Sequence, residues 1–239
     1  MHNKTPILAL ALSLSVLAGS VSAASVDVRG QYRSEQDKFE SRVLLNHEWS
    51  NGIGAGFEYV VDNTSKAGEG IDQARWKENE LELYYKYKVS DTLTLLPSVL
   101  FQDTKASGDI AKIGLRANWA FAPTWRLDAR VRYEHKTRDT RDLAKQWDND
   151  DTTRSELWLR KTFNKDLETY YNFRWDHKLN NYAYPDKSSN LYEHNVGAAY
   201  KLNANFKPYA EIGYLPDALI KNKALTDDWR FRLGLVYSF

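Results

Sequence analysis

The sequence lacks cysteine and lacks an excess of either charge. Without cysteine, no disulfide framework can form, so the fold itself must supply the stability. The 33 Lys and Arg residues against 32 Asp and Glu residues give a net charge of +1. This balance excludes the basic excess typical of nucleic-acid-binding proteins and a generally acidic character. The mean hydropathy of −0.63 argues against a membrane-spanning helix.

The one long apolar run stands at the N-terminus. Lys4 is followed by PILALALSLSVLAG and then by the small residues SVSA. This order predicts a signal peptide over residues 1–23, with cleavage after Ala23 or, as the alternative, after Ala24. The run is too short and too rich in small residues for a good membrane span. We therefore expect an exported protein in which residues 24–239 form a single domain.

Apolar and polar side chains alternate along most of that domain. In WRFRLGLVYSF, residues 229–239, every second side chain is apolar or aromatic. Such alternation predicts a strand with one apolar face and one polar face. About twelve segments show it. They are 25–34, 39–50, 53–62, 76–89, 93–102, 110–121, 125–136, 153–163, 167–179, 190–202, 206–215 and 228–239.

The connections between these segments alternate in length. Tight turns such as SNG at 50–52 are followed by longer polar links such as 63–75 and 137–152. Short turns on one rim and long loops on the other predict an all-β fold, a twelve-stranded antiparallel transmembrane β-barrel of the bacterial outer membrane. The even count lets the first and last strands pair and close the sheet. A soluble β-sandwich is the alternative.

Aromatic residues near the predicted strand ends favour the membrane barrel. Chains of this kind carry aromatic girdles at both membrane interfaces, and 13% of this chain is Phe, Trp or Tyr. The apolar faces should then contact lipid and the polar faces should line the lumen. The predicted girdle residues are Tyr32, Trp49, Tyr59, Trp76, Trp119, Trp125, Tyr133, Trp175, Tyr200, Trp229 and Tyr237.

Basic residues dominate two groups of neighbouring strands on the predicted lumen side. The two groups are centred six strands apart in a ring of twelve, so they should face each other across the pore. Rows of basic groups favour anions in a pore, and Arg binds carboxylates in a bidentate manner. The predicted pore-lining residues are Arg29, Arg33, Arg42, Arg230 and Arg232 in one group and Lys112, Arg116, Arg126, Arg130, Arg132, Arg154 and Arg160 in the other.

Acidic residues should occupy the arcs between the two basic groups. The alternative is that these charges pair with one another merely to fill a small barrel. A row of three glutamates could also bind a cation near the pore mouth, although a solvated or Arg-paired wall is favoured. The predicted acidic residues are Glu58, Asp62, Glu78, Glu80 and Glu82 on one side and Glu168, Asp176, Glu193 and Glu211 on the other.

No pattern in the chain points to catalysis. The histidines of the exported chain, His47, His135, His177 and His194, all fall on the predicted lipid-facing phase, and no metal-ligand spacing is present. We therefore expect a protein that is not an enzyme, with no catalytic residue, no metal site and no cofactor.

Three stretches resemble a known family. They are VDVRGQYRS at 26–34, FKPYAEIGYL at 206–215 and WRFRLGLVYSF at 229–239. Together they are similar to the oligogalacturonate-specific monomeric porins (KdgM type), whose relatives include the sialic-acid-inducible porin. The resemblance implies a monomeric barrel in outer-membrane lipid, with a narrow anion-favouring pore that takes up oligogalacturonate-like or other uronate or sialic acid sugars.

The resemblance also bears on assembly and on rival functions. The terminal Phe239, two places after Tyr237, resembles the end by which the barrel-assembly machinery recognises outer-membrane barrels. A non-specific small-solute porin and a non-conducting structural barrel are the alternative functions.

Overall fold

The computed structural model describes residues 23–64, 73–105, 108–137, 150–180 and 182–239. The predicted signal peptide, apart from Ala23, and most of the predicted link 137–152 lie outside these residues. Within the described ranges, no helix is long and apolar enough to cross a membrane. The strands are β1 (Ala23–Arg33), β2 (Lys38–Glu48), β3 (Ile53–Asp62), β4 (Arg75–Tyr85), β5 (Tyr87–Lys88), β6 (Leu93–Thr104), β7 (Gly108–Ala122), β8 (Trp125–Lys136), β9 (Asp150–Thr162), β10 (Leu167–Lys178), β11 (Asn190–Tyr200), β12 (Phe206–Lys221) and β13 (Ala224–Ser238).

These strands form one closed antiparallel barrel. The two-residue strand β5 continues β4 beyond Lys86, so the thirteen strands make twelve barrel strands. Each pairs with its neighbour along the chain, and β4 pairs with β6. The ring closes between β1 and β13, where Val26 lies opposite Tyr237. Closure leaves no open edge in the membrane, and the predicted twelve-stranded barrel is confirmed.

Alternation places the apolar side chains outside the barrel. Leu83, Val131 and Leu233 are 46%, 57% and 71% exposed, respectively. Conversely, the buried side chains of the described residues are mostly polar or charged, among them Asp128 and Asp228. The protein is thus apolar towards lipid and polar inside, which is the arrangement of an outer-membrane barrel.

The structure corrects the strand bounds around the predicted link 216–227. Strands β12 and β13 continue through most of it, and they turn at Asn222 and Lys223, whose φ angles are 52° and 66°. Two positive φ angles are typical of the two-residue turn that joins twisted strands. A register shift between Leu215 and Leu219 interrupts the alternation, which explains why the pattern predicted a loop there.

The pairing of β3 with β4 shifts between Val60 and Val61. Beyond the shift, Trp76 lies directly opposite Val61. Asp62, the neighbour of Val61, lines the barrel interior, so Val61 and Trp76 both lie on the outward phase. The register therefore keeps Trp76 on the predicted outward face, although simple alternation counted from Glu78 would turn it inward.

Candidate functional site: a charged lumen

The barrel encloses a cavity of about 1450 Å³. Strand alternation directs every second side chain of each strand towards it, so each inward position contributes to one continuous wall. Three of the predicted basic residues, Arg33, Arg126 and Arg230, are not among the residues that line the cavity. The predicted basic residues that do line it are Arg29, Arg42, Lys112, Arg116, Arg130, Arg132, Arg154, Arg160 and Arg232.

The three exceptions form ion pairs elsewhere in the wall. Arg33 is the last residue of β1 and donates over 2.7 Å to the buried carboxylate of Asp228. Arg126 is the second residue of β8, beside a short turn. Arg230 is buried and donates to Glu193. Because these guanidinium groups pair with carboxylates within the wall, they contribute less positive charge to the pore than the sequence analysis expected.

On the wall formed by β7, β8 and β9, one carboxylate accepts hydrogen bonds from three arginines. Asp128 is fully buried and accepts hydrogen bonds from Arg116 over 3.0 Å, from Arg126 over 2.9 Å and from Arg160 over 2.8 Å. Arg160 makes a second bond of 3.0 Å to Glu168. Asp128 and Glu168 together carry two negative charges against these three guanidinium groups, so this part of the wall keeps an excess of positive charge.

Further towards the long loops, the same wall alternates acids with bases. Arg130 donates to Glu156 over 2.7 Å, Arg132 lies 3.3 Å from Glu134, and Arg154 lies 3.2 Å from Glu134. Acids therefore also stand within the basic group, in addition to the arcs where the sequence analysis placed them. Glu134 and Glu156 share the inward phase of the arginines, so the alternation could have revealed them.

The opposite wall, on β1, β2, β12 and β13, is also paired. Arg42 forms ion pairs with Asp27 and, at 3.0 Å, with Glu58. Arg232 donates to Glu211 over 2.7 Å. The alternative in which lumen charges pair with one another therefore holds for most of the predicted arginines. Such pairs stiffen the wall but reduce the free charge that a passing ion meets.

Arg29 differs from the other predicted basic residues. No carboxylate of a described residue lies within 4.0 Å of its guanidinium, and its Nε atom is buried without a hydrogen-bond partner. Its direct cross-strand neighbour on β2 is Arg42, a like charge. Arg29 therefore presents an uncompensated positive charge on the lumen wall.

The acidic arc lies on β3 and β4. Two of its members are paired with bases, Glu58 with Arg42 and Glu80 with Lys112, and Glu78 accepts a 3.1 Å bond from Gln102. Across the residues that the structure describes, no group of three potential ligands is arranged to hold a metal ion. The cavity-lining members of the arc are Glu58, Asp62, Glu78, Glu80 and Glu82.

The second predicted acidic arc is only partly in the lumen. Glu193 and Glu211 line the cavity, whereas Glu168 and Asp176 do not. Both of the latter pair with arginines inside the wall.

The sequence analysis missed two cavity-lining residues that bear on function. Arg174 on β10 lines the cavity and donates to Asp176 over 2.9 Å. Trp158 on β9 lines it as well, between residues of the basic wall. Both stand at inward positions of strands that the alternation had predicted. Their position in the alternation, rather than their charge or residue type, could therefore have identified them.

Known proteins with similar sequences include outer-membrane channels. The chain is 26% identical to the protein YiiY of Salmonella typhimurium over 239 residues, which cover 96% of each chain. It is 27% identical over 195 residues to the N-acetylneuraminic acid outer membrane channel protein NanC of Escherichia coli, covering 81% of this chain and 80% of NanC. The solved NanC porin structure matches with a TM-score of 0.77 and 23% identity, covering 90% of this chain and all of that one.

The family assignment rests on a match along most of the chain. The sequence model described as "Oligogalacturonate-specific porin protein (KdgM)" matches residues 17–239. Porins are channels rather than enzymes. Together with the closed barrel and the polar lumen, this match means that the chain is a porin of the bacterial outer membrane and belongs to the oligogalacturonate-specific porin (KdgM) family.

Proposed function

We propose that this porin is a narrow, anion-favouring channel for the uptake of acidic oligosaccharides. The single observation that carries the proposal is the uncompensated positive charge of the lumen. It is concentrated beside Asp128, where Arg116 and Arg160 line the cavity, and at Arg29, which has no carboxylate partner among the described residues. Fixed cationic groups on a pore wall raise the local concentration of anions and lower that of cations.

The paired arginines suit a substrate that carries a carboxylate on each sugar. A guanidinium group keeps its charge and offers several donors, so it can bond to a wall carboxylate and to a passing carboxylate at once. Each contact is weakened by the wall acid beside it, as at Arg130 with Glu156. Conduction needs sites that bind well enough to admit the substrate and weakly enough to release it.

The substrate class follows from what the relatives share. The family description names oligogalacturonate, and the name of the E. coli relative NanC names N-acetylneuraminic acid. Both are sugars with a carboxylate group. We therefore extend to this chain the shared chemistry, a uronate or sialic acid sugar, rather than either compound alone.

Two rival functions remain testable with the intact protein. A non-specific small-solute porin would pass neutral and acidic sugars of equal length at equal rates, and a non-conducting structural barrel would pass neither. The cavity of about 1450 Å³ favours conduction over a filled barrel.

Liposome swelling separates these functions. Liposomes that hold the purified porin should swell faster in tetragalacturonate than in the neutral maltotetraose, after correction for counter-ions. Equal rates would refute the acidic-sugar preference, and swelling in neither would refute a channel.

For assembly, we propose that the barrel inserts as a monomer and that the barrel-assembly machinery recognises Phe239. Its side chain is 67% exposed and its ring lies 4.9 Å from that of Tyr237. Phe239→Ala should lower the amount of folded porin in the outer membrane of cells, whereas the purified variant should refold in detergent as well as the wild type. Equal loss in both settings would contradict recognition, and a cross-linked dimer or trimer would contradict the monomer.

A further inference from the structure

Trp158 is an aromatic side chain on the largely charged wall of β7, β8 and β9. It is only partly buried and lines the cavity, between Asp128 of β8 and Asn172 of β10 in the strand register. An outward position would place it among the lipid-facing aromatics, but its phase directs it into the lumen.

Two guanidinium groups lie against the indole ring. Their central carbons are 5.0 Å from the ring centroid for Arg116 and 5.3 Å for Arg130. Both arginines also pair with wall acids, Arg116 with Asp128 and Arg130 with Glu156. Cation–π contact and ion pairing together hold these groups beside the ring and leave further N–H donors available to the lumen.

The indole N–H makes no hydrogen bond to any residue that the structure describes. Tryptophan N–H groups normally find a partner when the ring is buried, so this donor is available to water or to a solute. The inward Tyr170 behaves differently, since its hydroxyl donates to Glu211 over 2.6 Å. Its ring also fills the space over Gly197, where an added Cβ would lie 2.3 Å from it. Tyr170 completes the wall, whereas Trp158 is open to the pore.

We propose that Trp158, with Arg116 and Arg130, forms a sugar-binding subsite inside the channel. The inference rests on the proposed function and deepens it. The apolar C–H face of an acidic pyranose packs against exposed indole surface, its carboxylate accepts hydrogen bonds from one of the two guanidinium groups, and the indole N–H donates to a ring hydroxyl. Such a subsite distinguishes a sugar acid from a polyanion without rings, which arginines alone do not.

The test measures how long single molecules block the current through the porin in a planar bilayer. The probes are tetragalacturonate, the ring-free polyanion tetraglutamate, and maltotetraose. We expect Trp158→Leu to shorten tetragalacturonate blocks about fivefold, because aromatic packing of this kind contributes that order of affinity. Blocks by tetraglutamate should change by less than about twofold, since its carboxylates need only the guanidinium groups. Trp158→Tyr should retain most of the sugar block.

A matched control uses another tryptophan. Trp119 on β7 is half exposed and faces lipid, so Trp119→Leu should leave the sugar blocks unchanged. If Trp158→Leu does not fold, Trp158→Gln replaces it and the comparison with Trp158→Tyr remains. Equal shortening of tetragalacturonate and tetraglutamate blocks would overturn the inference, because Trp158 would then only position the arginines. Unchanged sugar blocks would also overturn it.

The maltotetraose arm separates this inference from the proposed function. If the wild-type porin does not prefer the acidic sugar, the proposed function fails. The subsite is then supported if Trp158→Leu shortens the maltotetraose blocks, and overturned if it does not.

Discussion

Replacing Arg29 with Gln should reduce anion preference without destabilising the barrel. The guanidinium of Arg29 has no carboxylate partner among the described residues and lies on the lumen wall. At about 5 Å in a water-filled pore, one such charge attracts a monovalent anion by about 0.8 kcal/mol, which is roughly a fourfold change in local concentration. Because Arg29 lies directly opposite Arg42, its removal also relieves a like-charge contact, so stability should stay the same or rise.

The assay is the reversal potential of the current across a planar bilayer with a tenfold gradient of KCl. At low salt, Arg29→Gln should shift it towards the value for a non-selective pore. At about 1 M salt, where the Debye length falls to about 3 Å, the difference from the wild type should largely disappear.

The control is Arg230→Gln, which removes a buried arginine outside the cavity lining and leaves Glu193 without that partner. It should lower stability, by about 3–5 kcal/mol for a broken buried pair, with a smaller effect on selectivity. An unchanged reversal potential in Arg29→Gln, or a loss of stability as large as that of Arg230→Gln, would refute the reasoning.

Three further outcomes follow from the architecture. Unheated protein should migrate differently from boiled protein on a detergent gel, and a helical circular-dichroism spectrum would contradict the barrel. Leu233→Arg should lower the free energy of unfolding in bilayers by about 2–4 kcal/mol, because Leu233 faces lipid. A polar replacement of the inward Glu82 should be tolerated, and equal losses of stability would mean that the faces are reversed. Gly234→Ala should lower the free energy of unfolding in a denaturant titration by about 1–3 kcal/mol, since the new Cβ would lie 2.3 Å from the ring of Tyr209. The Tyr209 hydroxyl donates a 2.9 Å hydrogen bond to Asp27, which holds the ring in place, and an unchanged midpoint would show that the ring moves freely.

The barrel was predictable because its signal repeats. Each strand must be apolar on one side and polar on the other, and the membrane enforces this on every strand alike. The register shifts were not predictable in the same way. At the bulge between Leu215 and Leu219 the alternation breaks locally, so the extension of β12 and β13 could not be seen in the sequence.

The lumen was predictable in composition but not in pairing. Alternation identifies inward positions, whereas the stagger of neighbouring strands decides which carboxylate meets which guanidinium. Asp128, for example, accepts from arginines on three strands, Arg116, Arg126 and Arg160. The same stagger leaves Arg29 without a carboxylate partner in the part of the chain that the structure describes. Asp27 is only two residues away but pairs with Arg42 instead.

The most direct test of the central claim is the ion preference of the wild-type porin itself. The account holds that guanidinium charge left over after pairing makes the lumen favour anions. The reversal potential in a KCl gradient should therefore have the sign of chloride preference at low salt, and this preference should decline as the salt concentration rises. A reversal potential of zero, or one with the sign of potassium preference, would contradict the account.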